Sequence, residues 1–113
     1  MSTISTHILD TARGVPAREV PVSLARQIGG NWQVLRTDKT DVDGRCRQLL
    51  SESESLDLGY YRVRFETSAY YAAQQIAGLY PYVEIVFEVR DAEQHFHIPL
   101  LLTANGYTTY RGS

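Results

Sequence analysis

The sequence is poor in several features that would decide a fold by themselves. It holds one cysteine, Cys46, so an internal disulfide framework is excluded. Its apolar runs, of which residues 98–102 are an example, fall far short of the roughly 20 residues that a membrane-spanning helix needs. Residues 1–8 contain no basic start followed by an apolar stretch, so no secretory leader is expected. Positive charge is not in excess: eleven basic side chains stand against thirteen acidic ones, a formal net charge of -2. Nucleic-acid binding, which calls for a concentrated positive field, is therefore excluded as an expectation. Internal repeats, low-complexity tracts, a glycine-rich phosphate loop, a nucleophile elbow and an H-E-x-x-H pair are also missing. The expectation is a small cytoplasmic protein with neither a membrane nor a nucleic acid as partner.

What is present suits a β protein. The 113 residues, 43% hydrophobic and 21% charged, read as one globular domain over 1–113 rather than a disordered chain. Eight of the twelve aromatic residues are Tyr, and Val, Ile and Thr are plentiful, which favours pleated, half-buried surfaces. Lys39 is the only lysine beside ten arginines. The planar guanidinium suits flat anions, although codon bias produces the same excess.

Short alternating segments separated by turn residues fill most of the chain. Val20, Val22 and Leu24 are in phase, and Gly29, Gly30 and Asn31 then mark a hairpin leading into Trp32, Val34 and Arg36. Asp43-Gly44 is a turn before a strand at residues 45–50, and a polar loop covers 51–58. Tyr61, Val63 and Phe65 alternate with charged residues, as do Val83, Ile85, Phe87 and Val89. A strand over 95–103 carries Pro99, which marks an edge or a bulge at that point. Asn105-Gly106 is a hairpin dipeptide returning into residues 107–111. One segment departs from period two. Ser68 is placed to cap a helix over 69–78, with Tyr70, Ala73, Ile76 and Ala77 on one side and Gly78 at its end. The expected architecture is an all-β, two-sheet sandwich of seven to eight strands with one short helix.

The candidate chemistry begins with histidine. His95 and His97 are two apart, so both project from the same strand face. That spacing can hold zinc, but no Cys or carboxylate stands at an interval that would supply a third ligand. His7 lies in an extended segment. Residues 41–44, Asp-Val-Asp-Gly, have a calcium-loop cadence, yet Lys39 and Leu50 occupy ligand positions, so the segment reads as a plain turn. Cys46, between Arg45 and Arg47 on a strand, points the other way and reads as a small apolar filler.

Four stretches carry a resemblance. They are Ser5-Thr6-His7-Ile8-Leu9-Asp10-Thr11 with Gly14-Val15-Pro16-Ala17; Thr40-Asp41-Val42-Asp43-Gly44-Arg45; His95-Phe96-His97-Ile98-Pro99-Leu100-Leu101-Leu102; and the ending Tyr107-Thr108-Thr109-Tyr110-Arg111-Gly112-Ser113. In this order, from Ser5 to Ser113, the chain resembles the hydrolytic branch of the transthyretin-like protein family, the 5-hydroxyisourate hydrolases. The resemblance implies a transthyretin-like sandwich assembled as a homotetramer, with small-molecule sites at the dimer–dimer interface. It implies hydrolysis of 5-hydroxyisourate, in urate degradation, without metal or organic cofactor. The family's catalytic positions fall on His7, Arg45, His97 and Ser113, and its substrate contacts on His7, Arg45 and Tyr110. The carrier branch of the same fold, a non-catalytic small-ligand binder, lacks the Tyr-Arg-Gly-Ser ending and has Lys, Glu and Thr where this chain has His7, Arg45 and His97.

Those residue types fit the implied reaction. Opening a ring amide needs a base for water and a cation for the developing oxyanion. Either imidazole can be the base near neutral pH, so His7 and His97 can divide base and acid in two ways. Arg45 keeps its charge throughout. Ser113 offers both a hydroxyl and a terminal carboxylate, either of which can orient an imidazole.

Overall fold

The alternating segments become two sheets in the computed structural model, which describes residues 4–51 and 53–112. The strands are β1 (Ile4–Asp10), β2 (Val15–Pro16), β3 (Pro21–Ile28), β4 (Asn31–Lys39), β5 (Arg45–Leu50), β6 (Gly59–Phe65), β7 (Val83–Val89), β8 (Phe96–Thr103) and β9 (Gly106–Thr109). One helix, α1 (Thr67–Ala72), follows β6. One sheet has the order β2-β1-β8-β9, with β5 also paired to β1; the other runs β4-β3-β6-β7. The strand beyond the expected eight is β2, a two-residue pairing of Val15 and Pro16 with the end of β1. The core between the sheets draws Ile4, Ile8 and Leu100 from one side and Val22, Leu24, Val63, Phe65 and Val83 from the other.

Most expected turns fall where their residue chemistry puts them. Gly29 and Gly30 both have positive φ, 58° and 84°, and connect the paired residues Ile28 and Asn31 in a two-residue hairpin. Gly44 has φ +76°, and a Cβ on it would meet the Ile8 carbonyl at 2.5 Å, so both conformation and space demand glycine.

Three local expectations are corrected. The hairpin after β8 turns on Ala104 and Asn105, because Gly106 already pairs with Thr103 as the first residue of β9. The helix spans Thr67–Ala72 rather than 69–78, its N-cap is Glu66 without a side-chain cap bond, and Ser68 lies within it. It stops because Gln75 turns left-handed (φ 60°). Gly78 serves close packing instead, since a Cβ there would sit 3.1 Å from both the Ala104 carbonyl and the Tyr71 ring.

Pro99 is the third correction. It lies in β8, an interior strand between β1 and β9, not at an edge. It is tolerated because the ladder to β9 lapses there: pairing stops at Leu100–Thr109 and returns only as a single bridge between His97 and Gly112. No ladder amide is required of Pro99 in that gap. The Thr109 hydroxyl donates to its carbonyl instead (2.7 Å).

The short helix is tied to the first sheet by a buried polar contact. Tyr70 donates its hydroxyl to Asp10 Oδ2 (2.7 Å), while the Arg13 amide donates to Oδ1 (3.1 Å). Asp10 is 1% exposed, so loss of a donor leaves a carboxylate oxygen unsatisfied. Tyr70→Phe is expected to cost about 1–3 kcal/mol, read from urea denaturation with the slope unchanged. An unaltered midpoint would remove this contact from the account of helix docking.

Candidate active site

The parallel pairing of β1 and β8 places Ser5 beside His97 and His7 beside Pro99. On the other side of β1, antiparallel β5 sets Arg45 opposite His7 and Cys46 opposite Thr6. Residues two apart share a strand face, so Ser5, His7, Arg45 and His97 emerge together while Ile4, Thr6, Ile8 and Cys46 turn inward. Cys46 is 2% exposed, and burial pushes its thiol up to about 12, the behaviour of an inert core residue. Strands lie ~4.8 Å apart, so this register brings side chains from three strands within mutual reach.

Arg45 is aimed by the turn that precedes it. Asp41 Oδ1 accepts from the amides of Asp43 (2.9 Å) and Arg45 (3.0 Å), and the Arg45 carbonyl accepts from the Asp41 amide. Those bonds, with the Arg45 amide first, hold the Asp41 carboxyl below its ordinary range. Its Oδ1 is thus spent on the turn. Arg47 leans to Asp41 and Asp43 at 3.9 and 3.7 Å. Among the described residues Arg45 makes no ion pair, in contrast to Arg26, Arg36, Arg47, Arg62, Arg64 and Arg90.

Ser5, Thr6, Arg45, Arg47, His95 and His97 line an open cleft of about 270 Å³. Ser5 Oγ lies 2.8 Å from His97 Nδ1 and 3.5 Å from His95 Nε2, so His95 and His97 do share a face, with a serine between them. Gly112 crosses the same place. The Gly112 amide donates to the His97 carbonyl (2.9 Å), and a Cβ on Gly112 would fall 2.5 Å from His97 Cδ2. His97 is lowered below 6.5 by burial first, then by Arg45 and by the neighbouring His7 and His95. His7 is lowered by burial and by Arg45, against a hydrogen bond to the Asp43 backbone and the charges of Asp41 and Asp43. Both shifts favour the neutral imidazole, the form that can accept a proton.

Of the residues singled out from sequence, the structure brings His7, Arg45 and His97 together. Tyr110 is elsewhere: it is 56% exposed and lines a separate groove with Ile85, Phe87, Phe96 and Ile98. Ser113 lies outside the described residues. Ser5 and Arg47 line the same cleft and Gly112 packs on the His97 ring, three residues that the sequence pattern does not mark as site residues. The alternation that places Ser5 on the face of His7 was readable, but its meeting with His97 was not.

Comparison with known proteins extends this picture. The HIUase/Transthyretin family model matches residues 4–112. The chain belongs to the HIUase/Transthyretin family. It is 44% identical over 114 residues to the 5-hydroxyisourate hydrolase of Mus musculus, covering 99% of this chain and 96% of that one. It superimposes on the Klebsiella pneumoniae 5-hydroxyisourate hydrolase with a TM-score of 0.87 at 38% identity, covering 100% of both chains. Sea bream transthyretin in complex with thyroxine superimposes with a TM-score of 0.91 at 30% identity, over 97% of this chain and 94% of that one. The family fold is thus shared by a hydrolase and a thyroxine-bound protein, so the fold alone does not choose between them.

The lowered imidazoles fix the sign of one pH effect. Below 6.5 the unfolded chain takes up protons that folded His7 and His97 resist, so stability falls as pH drops through that value. Melting temperature should decline between about pH 7 and 5, and less steeply in a His7→Asn/His97→Asn variant. Imidazole titrations by NMR should give midpoints below 6.5 for both; a midpoint above it for either would contradict the assigned environment.

Proposed function

We propose that the chain hydrolyses 5-hydroxyisourate to 2-oxo-4-hydroxy-4-carboxy-5-ureidoimidazoline in urate degradation. The observation that carries this reading is the grouping on one sheet face of two imidazoles, both shifted toward the neutral form, and a guanidinium without an ion pair among the described residues, in a family that contains hydrolases of that substrate. One imidazole, of His7 or His97, takes a proton from water as its oxygen attacks a ring carbonyl. The guanidinium of Arg45 stabilises the oxyanion that forms. The carbon–nitrogen bond then breaks, the ring nitrogen leaves with a proton from an imidazole, and a carboxylate is released. A positioned base of this kind contributes roughly 10²–10⁴ in rate. No step needs a metal or an organic cofactor. Ser113 is assigned to orient an imidazole, and Tyr110 to contact substrate where an assembled partner brings it over the cleft.

The carrier reading shares the fold but leaves these groups unexplained. A ligand-holding face has no need for two imidazoles shifted toward the neutral form beside that guanidinium, whereas amide hydrolysis needs both. Following the ultraviolet band of freshly prepared 5-hydroxyisourate tests the choice directly. His7→Asn, His97→Asn and Arg45→Gln should each lower turnover by about 10² or more with melting temperature nearly kept. An inactive parent chain would overturn the function, and an Arg45→Gln chain of parental rate would overturn that assignment alone.

The assembly belongs to the same proposal. The cleft is open on one side, and Leu9 and Leu101, paired across β1 and β8 on the outward face, offer apolar area beside it. A second copy facing this sheet would cover the leucines and close the cleft, consistent with a homotetramer whose sites lie between dimers. Among the described residues no helix is long and apolar enough to cross a membrane. A lone buried thiol suits the reducing cytoplasm, where we place the reaction. Sedimentation and specific activity should fall together on dilution; a fully active monomer is the contrary result.

A further inference from the structure

We propose that Ser5 and Gly112 are positioning residues for His97, holding the proton of its imidazole on Nδ1 so that Nε2 presents a lone pair to the cleft. This deepens the hydrolase reading and rests on it, since it chooses between the two imidazoles: His97 is the base.

The geometry leaves His97 little freedom. Ser5 is 7% exposed and fixed in the interior strand β1, and its Oγ sits 2.8 Å from Nδ1. A hydroxyl can donate to that nitrogen or accept from it, so distance alone does not orient the proton. The surroundings do. A part-buried ring N–H needs an acceptor, and among the described residues the one in reach of the ring nitrogens is Ser5 Oγ, at Nδ1. With the N–H there, Nδ1 donates to Ser5 Oγ. The Ser5 proton then has an acceptor in His95 Nε2, 3.5 Å away. Among the described residues Nε2 of His97 has no hydrogen-bond partner, which leaves it open to water. The hydrogen bond on one ring nitrogen thus sets what the other can do.

Gly112 holds the ring from its other edge. A Cβ there would lie 2.5 Å from Cδ2, 3.2 Å from Cγ and 3.2 Å from the Pro99 ring, while the Gly112 amide is bonded to the His97 carbonyl. Only a residue without a side chain can lie so close. The ring cannot swing toward Gly112, and the Ser5 hydroxyl fixes its rotation.

The first test is a ¹⁵N NMR reading of the His97 tautomer in the substrate-free protein, which does not depend on activity. The parent should be Nδ1-protonated at neutral pH, and Ser5→Ala should drift toward the Nε2-protonated form. With 5-hydroxyisourate, Ser5→Ala should lower kcat about ten-fold or more with KM little changed. Its acid limb should move to lower pH, because the imidazolium formed at Nε2 loses its acceptor. Ser5→Thr, which keeps a hydroxyl, should restore both readings. Gly112→Ala should lower kcat similarly without lowering the melting temperature. An Nε2-protonated His97 in the parent, or a Ser5→Ala chain with parental tautomer, rate and pH profile, would overturn the proposal while leaving the hydrolase reading intact. A parent without hydrolase activity would overturn that reading, and the tautomer measurement would still decide the clamp.

Discussion

The parallel pairing of β1 with β8 is the interaction on which the candidate site depends. It runs without a break from Ile4–Phe96 to Asp10–Leu102 and is pinned along its length by side chains. The Thr6 hydroxyl donates to the Ile98 carbonyl, and Thr11 places both its amide and its hydroxyl on the Leu102 carbonyl at 3.0 and 3.2 Å. A slip of one residue would exchange the core and cleft faces of β8, burying His97 and exposing Ile98. Core packing and active-site geometry are therefore one constraint: the same register that interdigitates Ile8 and Leu100 sets Ser5 against His97.

Charge is distributed unequally over the two sheets. The arginines of β3, β4 and β6 are taken up by carboxylates, as in Arg26–Asp57, Arg36–Glu54 and Arg64–Glu84. Such partly exposed pairs contribute little stability, about 0–1 kcal/mol each, but they neutralise the outer face of that sheet. On the other sheet Asp41 and Asp43 engage the turn and Arg47, leaving Arg45 as the cation beside two imidazoles. The excess of arginine, uninformative as a count, separates among the described residues into side chains held in ion pairs and a few that are not, of which Arg45 is the one that stands beside the imidazoles.

Much of the fold was legible because the hydrophobic period of two survives intact in β6 and β7, and because Gly29-Gly30 and Asp43-Gly44 have the turn chemistry their positions require. The misread points share a cause. Pro99 reads as an edge or a bulge, yet the loss of ladder bonding it enforces is met inside the sheet, where the pairing to β9 lapses. Gly78 reads as a helix end, yet it answers a close approach of Ala104 and Tyr71. In both cases the residue's local property was read correctly, while the partner that uses it lies far along the chain.

The sequence by itself determined the period of the strands, the turns and the supply of imidazole, guanidinium and hydroxyl groups, since these follow from local sterics and residue chemistry. Its motif order also identified the family. Tertiary structure alone decided that Ser5 meets His97 across 92 residues, that Gly112 lies over the His97 ring, and that Tyr110 faces another groove. Alternation says which residues share a face within one strand but not which strand lies beside it. That choice belongs to the packing of the whole sandwich, where buried apolar area and backbone hydrogen bonding are satisfied together.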